Sequence, residues 1–358
     1  MSERLRTAAL VMAFGCSCLS LVITFLGFSQ FDLSIVRYVR SVTIHLPWNK
    51  LTIPWMAFTS DAGNWIGEGT HLVIFSLIVV GAGWLFSWAV VRGAGIQTLL
   101  AHGLAALLVN GLKHLIGRPR PKFAHSDNWE LAPSWVSGFD SFPSGHSAAS
   151  FAVATVLAKR FPIVGPLCLG VASFVMLSRV LRGSHFPTDV LGGAVVGVLS
   201  GAIAAAPLKE WRTSIQDGIA HSAVGAVALL ALLWALARAP EQGIVGMLLM
   251  GLGLAAVAAG LWLRRMEWAD SERSGSSRHA AKSSLLLCYG LASMTTSLYV
   301  VAAAGLACAA YWLHEAGSLG EQKQDAGSWR MVREGIVLSG VVLTLLIMYG
   351  GRAVLPFR

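Results

Sequence analysis

Apolar runs of about twenty residues recur along the whole of this 358-residue chain, and each is long enough to cross the hydrocarbon core of a bilayer as a helix. Candidate spans fall at 9–29, 71–91, 95–116, 146–159, 162–181, 187–206, 219–237, 243–263, 284–312 and 334–350. Inside lipid a backbone must satisfy its own hydrogen bonds, so such a chain folds as helices. The expected fold class is an all-α, polytopic transmembrane helical bundle. A large soluble core would need far more charged surface than the 13% of charged residues can supply.

The remaining segments refine this picture. Basic residues precede the first run, but the run continues to about Ser29 without a small-residue cleavage site, which reads as an uncleaved span. In segment 30–70, Ile35, Val36, Val39 and Val42 recur at helical spacing and Trp48, Trp55 and Trp65 follow, which predicts an interfacial helix with an aromatic belt. Segments 264–283 and 313–333 read as polar loops, and the long run 284–312 is expected to tilt or break near Gly290. The formal net charge of +9 fits loops facing anionic lipid. No basic run with interleaved aromatics suggests a nucleic-acid partner. Cys16, Cys18, Cys168, Cys288 and Cys308 lie in apolar runs without metal spacing and read as small buried hydrophobes.

Charge close to a membrane helix is costly and usually functional. With the N-terminus in the cytoplasm and sides alternating, four junctions share the opposite face: "KHLIGRPRP" after one span, "FPSGH" before the next, "SRVLRG" after the third and "SHFPTD" before the fourth. Arg92, Lys159, Arg160, Lys209, Arg212 and the cluster from Arg264 to Lys282 then lie on the cytoplasmic side. Lys113, Arg120 and Arg179 have no local acidic partner in the sequence, so they would repel one another unless an anion lay between them. Arginine offers a planar fork to phosphate oxygens, and lysine adds a point charge. Ser144 and Gly145 begin a helix, where free N–H groups bind anions. His185 and Asp189 are four apart and can meet across a helix start, the carboxylate fixing one tautomer and leaving the other ring nitrogen free to attack phosphorus. His146 can protonate the departing oxygen. This chemistry uses no metal or other cofactor. Taken singly, "PSGH", Asp189 and Lys113 read as ordinary helix-start or interfacial features; their joint occurrence on one face carries the functional reading. His71 and His102 are expected to be hydrogen-bonded in or beside the bundle, and His114 and His125 to be loop or interface residues.

These residues resemble the type 2 phosphatidic acid phosphatase (PAP2) superfamily, whose three motifs are K-x6-RP, PSGH and SR-x5-H-x3-D. They stand here as Lys113 to Pro121, Pro143 to His146 and Ser178 to Asp189, in the same order and spacing. The resemblance implies a six-helix core over residues 1–207, with Lys113, Arg120, Ser144, Gly145, His146 and Arg179 cradling phosphate. It also implies His185 as nucleophile, Asp189 as its partner and His146 as acid. A membrane phosphatase acting on a lipid phosphate or diphosphate follows, through a phosphohistidine, placed in the inner (plasma) membrane with its site on the periplasmic or extracellular face. A lipid phosphotransferase using the same intermediate and a sugar-phosphate phosphatase of the glucose-6-phosphatase type are the alternatives. Residues 208–358 lie outside the resemblance; they hold about four more spans and read as a packing or oligomerisation half. Gly193, Gly197 and Gly201 form a small-residue seam expected to pack closely on a neighbouring helix.

Overall fold

The computed structural model describes residues 3–43, 54–123, 132–238, 241, 243–274 and 280–318. The expected span 334–350 and His125 lie outside them, as do Trp48 and residues 319–333 of the second polar segment. The described residues are helical, without strands: α1 (Glu3–Thr43), α2 (Pro54–Ile66), α3 (Gly69–Leu85), α4 (Ala89–Ile116), α5 (Gly145–Arg160), α6 (Gly165–Leu181), α7 (Pro187–Ala205), α8 (Trp211–Ala237), α9 (Ile244–Ser274), α10 (Ala280–Met294) and α11 (Leu298–Ser318). Among them, five helices are long and apolar enough to cross a membrane, or six if α2 and α3, bent by 53° at Gly67–Glu68, count as one span. The chain is a multi-pass helical membrane protein, as its apolar runs require.

Three local expectations are corrected. Residues 30–43 are no separate interfacial helix: they continue α1, and Val36 and Val39 are buried. No Gly or Pro interrupts this stretch, so its helical spacing extends the preceding span. Most of segment 264–283 is helix as well, because "RRMEWADSER" is rich in good helix formers and α9 runs through it to Ser274. The break in the run 284–312 falls at Thr295–Ser297, with Thr296 at φ 57°, and not at Gly290. Gly290 serves close packing instead: a Cβ there would come within 2.8 Å of the Gly253 carbonyl oxygen on α9.

The chain forms two compact units, one of residues 28–218 and one of residues 1–27 with 219–358. In the second unit, α9 packs on α10 across Gly253, Gly260 and Gly290, and Ser20 donates to the Ala303 carbonyl at 2.8 Å. All the motif residues belong to the first unit. There α5 is the central helix, packed on α4, α6 and α7, with Ala101, Ala105, Val109, Ala148, Ala152 and Val156 as its core. The expected glycine seam is present. A Cβ on Gly193, Gly197 or Gly201 would approach the carbonyl oxygens of Ser144, Ala148 or Ala152 to 2.4, 2.4 and 2.6 Å. Backbone therefore lies on backbone between α5 and α7, a contact that only small residues permit.

Candidate active site

The four charged junctions meet at one end of this unit. α4 stops at Gly117, whose left-handed backbone (φ 58°) lets its N–H cap the Lys113 carbonyl at 2.8 Å. A Cβ at Gly117 would lie 1.7 Å from the Ala132 carbonyl oxygen, so the chain turns here only with glycine. The turn delivers Arg118 and Arg120. A loop then returns through Asp140 and Ser141 to Ser144, which precedes α5. The Ser144 N–H donates to the Asp189 carbonyl oxygen at 2.9 Å, tying the PSGH segment to the start of α7. That N–H is thus engaged. The next ones, on Gly145 and His146, open the first turn of α5, where helix geometry leaves N–H groups without intrahelical partners.

His185 is 2% exposed in the short connection between α6 and α7. Its Nδ1 lies 2.8 Å from the Ser141 carbonyl oxygen, and 3.7 Å from Oδ2 of Asp189. The close acceptor is therefore a backbone carbonyl. A carbonyl only accepts, so Nδ1 carries the hydrogen and Nε2 keeps its lone pair. Burial pushes the His185 pKa below its ordinary value, and Arg179 and Arg120 add to this while Asp189 opposes it.

Asp189 is fully buried and held from several sides. Oδ1 accepts from Arg118 Nη1 at 2.5 Å; Oδ2 accepts from the Ser141 hydroxyl at 2.5 Å and from the Phe186 N–H at 2.8 Å. Ser141 thus touches both partners, its hydroxyl on Asp189 and its carbonyl on His185. Arg118, 5% exposed, spans two carboxylates, donating through Nη2 to Asp32 of α1 at 2.8 Å. It also lies over the Phe186 ring, 4.2 Å from the centroid. Removing one member of such a buried pair costs about 3–5 kcal/mol, because the other charge is left uncompensated.

The cations of the expected phosphate cradle do have an acidic neighbour, which corrects the sequence reading. Arg120 grips Asp140 through two N–H···O bonds of 2.8 and 2.6 Å, and Lys113 Nζ is 3.6 Å from the same carboxylate. Burial raises the Asp140 pKa, but its hydrogen bonds to Arg120 and the charges of Arg120 and Lys113 outweigh that and hold it at about 2. Arg179, near the end of α6, donates from Nη1 to Oδ1 of Asn64 on α2, while its buried Nε has no partner among the described residues. Gly63 lets α2 come this close: a Cβ there would fall 2.3 Å from Cβ of Ser178. His146, in the first turn of α5, is near enough to Arg179, His185, Lys113 and Arg182 for each to act on its charge. The hydroxyls of Ser144 and Ser147 are 3.2 Å apart, and both are buried.

All eight motif residues are therefore gathered at one end of one unit. Sequence reasoning missed Asp32, Asn64, Asp140 and Ser141, and did not assign Arg118 its ion pairs. Three other described histidines of this unit make contacts of their own or none. His71 bonds the Trp65 carbonyl through Nδ1 at 2.7 Å, and His114 stacks on Trp135 with centroids 4.0 Å apart. His102, expected to be hydrogen-bonded, has no partner for its buried Nδ1 among the described residues.

The motif-bearing part of the chain is similar to known proteins. The sequence model of the PAP2 superfamily matches residues 94–212, which include every motif residue. A lipid A 1-phosphatase of Rhizobium johnstonii is 39% identical over 95 residues, 26% of this chain and 39% of that protein; the match thus spans about two fifths of that relative. Phosphatidylglycerophosphatase B of Bacillus subtilis is 34% identical over 160 residues, 41% of this chain and 72% of the relative. Among solved structures, the transmembrane PAP2-type phosphatidylglycerolphosphate phosphatase of Bacillus subtilis aligns at 27% identity over 57% of this chain and 96% of its own, with a TM-score of 0.40. With its three motifs intact and brought to one place, the chain belongs to the PAP2 superfamily.

Proposed function

We propose that the protein is a membrane phosphatase that removes phosphate from a lipid phosphate or diphosphate through a phosphohistidine at His185. The observation that carries this reading is the pairing of His185 Nδ1 with the Ser141 carbonyl at 2.8 Å, which leaves Nε2 as the free nucleophile. Nε2 attacks phosphorus, the N–P bond forms, and the bond from phosphorus to the leaving oxygen breaks. His146 gives its proton to that oxygen. Water then attacks phosphorus, its proton passes to His146, the N–P bond breaks, and inorganic phosphate leaves.

Lys113, Arg120 and Arg179, with Ser144 and the N–H of Gly145, meet the charge on the equatorial oxygens. A phosphate oxygen would supply the acceptor that the buried Arg179 Nε lacks. Asp189 steadies the cationic imidazole ring. Residues 1–207 form the phosphatase proper in this reading, and residues 208–358 a packing or oligomerisation half. The substrate class is a lipid phosphate or diphosphate such as phosphatidylglycerol phosphate, undecaprenyl diphosphate, phosphatidate or lipid A. The site opens on the periplasmic or extracellular face of the inner membrane.

The test is phosphate release by the purified full-length protein from a panel of lipid phosphates, beside His185→Ala. Release by the native chain, resistance to EDTA, inhibition by vanadate and silence of the variant are expected. A fully active His185→Ala would overturn the assignment.

A further inference from the structure

Asp32 is the one acidic residue of the span Arg4–Val39. It is 2% exposed, so its carboxylate bears a desolvation cost that a merely structural residue could avoid by being apolar. Every bond it makes leads toward the nucleophile. Oδ1 accepts the Thr188 N–H at 3.0 Å, an N–H in the first turn of α7; Oδ2 accepts the Thr188 hydroxyl at 2.5 Å and Arg118 Nη2 at 2.8 Å. The same guanidinium reaches Thr188 Oγ1 at 2.6 Å and Asp189 Oδ1 at 2.5 Å. The main chain of Arg118 also belongs to this assembly, since its carbonyl accepts the N–H of Ser141 at 3.0 Å, and Ser141 holds His185.

Charge arithmetic gives the arrangement a purpose. Asp189 beside Arg118 alone would be a neutral pair, with little field left to act on the imidazole ring. Asp32 occupies the other side of the guanidinium and restores one net negative charge to the buried group. The ring of His185 becomes cationic as its Nε2 bonds to phosphorus, so that surplus charge favours the transition state over the resting state.

We infer that Asp32 is a positioning residue for the reaction, which keeps the charge of Asp189 available to His185 by neutralising Arg118. This rests on His185 acting as the nucleophile, as proposed above. Other charged groups close to His185 are Arg179 on α6, Arg120 after α4 and His146 on α5. Lys113 and Asp140 complete the set, and the Asp140 carboxylate is taken up by Arg120 and Lys113, so it leaves no negative charge for the ring.

The test compares three full-length proteins on nitrophenyl phosphate: the native chain, Asp32→Asn, and Asp32→Asn with Arg118→Gln. The single variant leaves a neutral cluster. Its kcat should fall about 10–100-fold, the scale of one charge about 6–12 Å away, beyond the guanidinium and Asp189, at an effective dielectric near 20, with KM little changed. The acid limb of its pH profile should move to lower pH, because less negative charge favours the neutral imidazole. The double variant regains one net negative charge, so it should recover part of the lost kcat and return the limb toward its native position. A role in holding the fold alone predicts the reverse order, with the double variant worse than the single. Unchanged kcat in Asp32→Asn, or a double variant below the single one, would overturn the inference. Should the single variant not fold, the double variant decides by itself: measurable turnover supports the inference and none refutes it. Failure of both to fold makes Asp32 a structural cap and also refutes it. A native chain without turnover would instead sink the phosphatase reading, so the two failures are distinguishable.

Discussion

Arg120 and Asp140 form a two-pronged ion pair, with N–H···O bonds of 2.8 and 2.6 Å, at the place where an anion was expected from the sequence. The carboxylate offers two oxygens to the fork, much as a phosphate would. With its pKa at about 2, Asp140 remains charged across the physiological range and competes with an incoming anion. Asp140→Asn should therefore lower the inhibition constant of inorganic phosphate several-fold near neutral pH. An inhibition constant that rises would show that Asp140 preorganises the cradle more than it competes for it.

The acid side of the pH profile tests His185. Only its neutral form has a lone pair on Nε2, and burial lowers its pKa from the ordinary 6.5. Turnover should persist as pH falls through 6.5 and be lost only below it. The limb should coincide for two substrates whose phosphates ionise at different pH, because it belongs to the enzyme. A limb above 6.5, or one that follows the substrate, would contradict the assignment.

His146 is tested by leaving groups. A lipid alkoxide departs poorly without a proton, and general acid assistance is worth about 10²–10⁴-fold. A nitrophenolate needs far less help. His146→Ala should therefore lose much more activity on a lipid monoester than on nitrophenyl phosphate. Any loss of phosphate binding is common to both substrates and cancels in the comparison. Equal losses would reduce His146 to a binding group.

Sidedness is accessible through the loop before α5. Val136 is 64% exposed there, and it shares the face of the motif residues. A Val136→Cys protein, measured against the background of the five native cysteines, should react with an impermeant thiol reagent in intact spheroplasts. Labelling only after lysis would place the site in the cytoplasm.

The motif residues were legible because they interrupt apolar runs, where a charge is conspicuous and expensive. Parity of the spans then gathered them on one face. What spacing could not reveal is who neutralises whom. Arg118 meets Asp32 across 86 positions and His185 meets Ser141 across 44, and helical periodicity reaches only a few residues. Ser141 left no trace at all, since its decisive atom is a backbone carbonyl that any residue would carry. Asp32 did leave one, as an isolated carboxylate just beyond the first apolar run. The bounds at 30–43 and 264–274 differ for other reasons: helical spacing alone does not separate an interfacial helix from a continued one, and polar residues that are good helix formers carry α9 onward.

The glycine seam between α5 and α7 has a mechanical meaning. Because Gly193 rests on the Ser144 carbonyl and the Ser144 N–H is bonded to Asp189, the two helices meet backbone to backbone, with only the inner atoms of Ser147, Phe151 and Thr155 beside the glycines. Sliding one along the other would drive Cα atoms into carbonyl oxygens, so the pair has a single register and behaves as one stiff body. The PSGH segment and the start of α7, which His185 precedes by two residues, are thus mounted on a common chassis. The spacing between these two groups is thereby set by backbone against backbone, and not by the rotamers of intervening side chains.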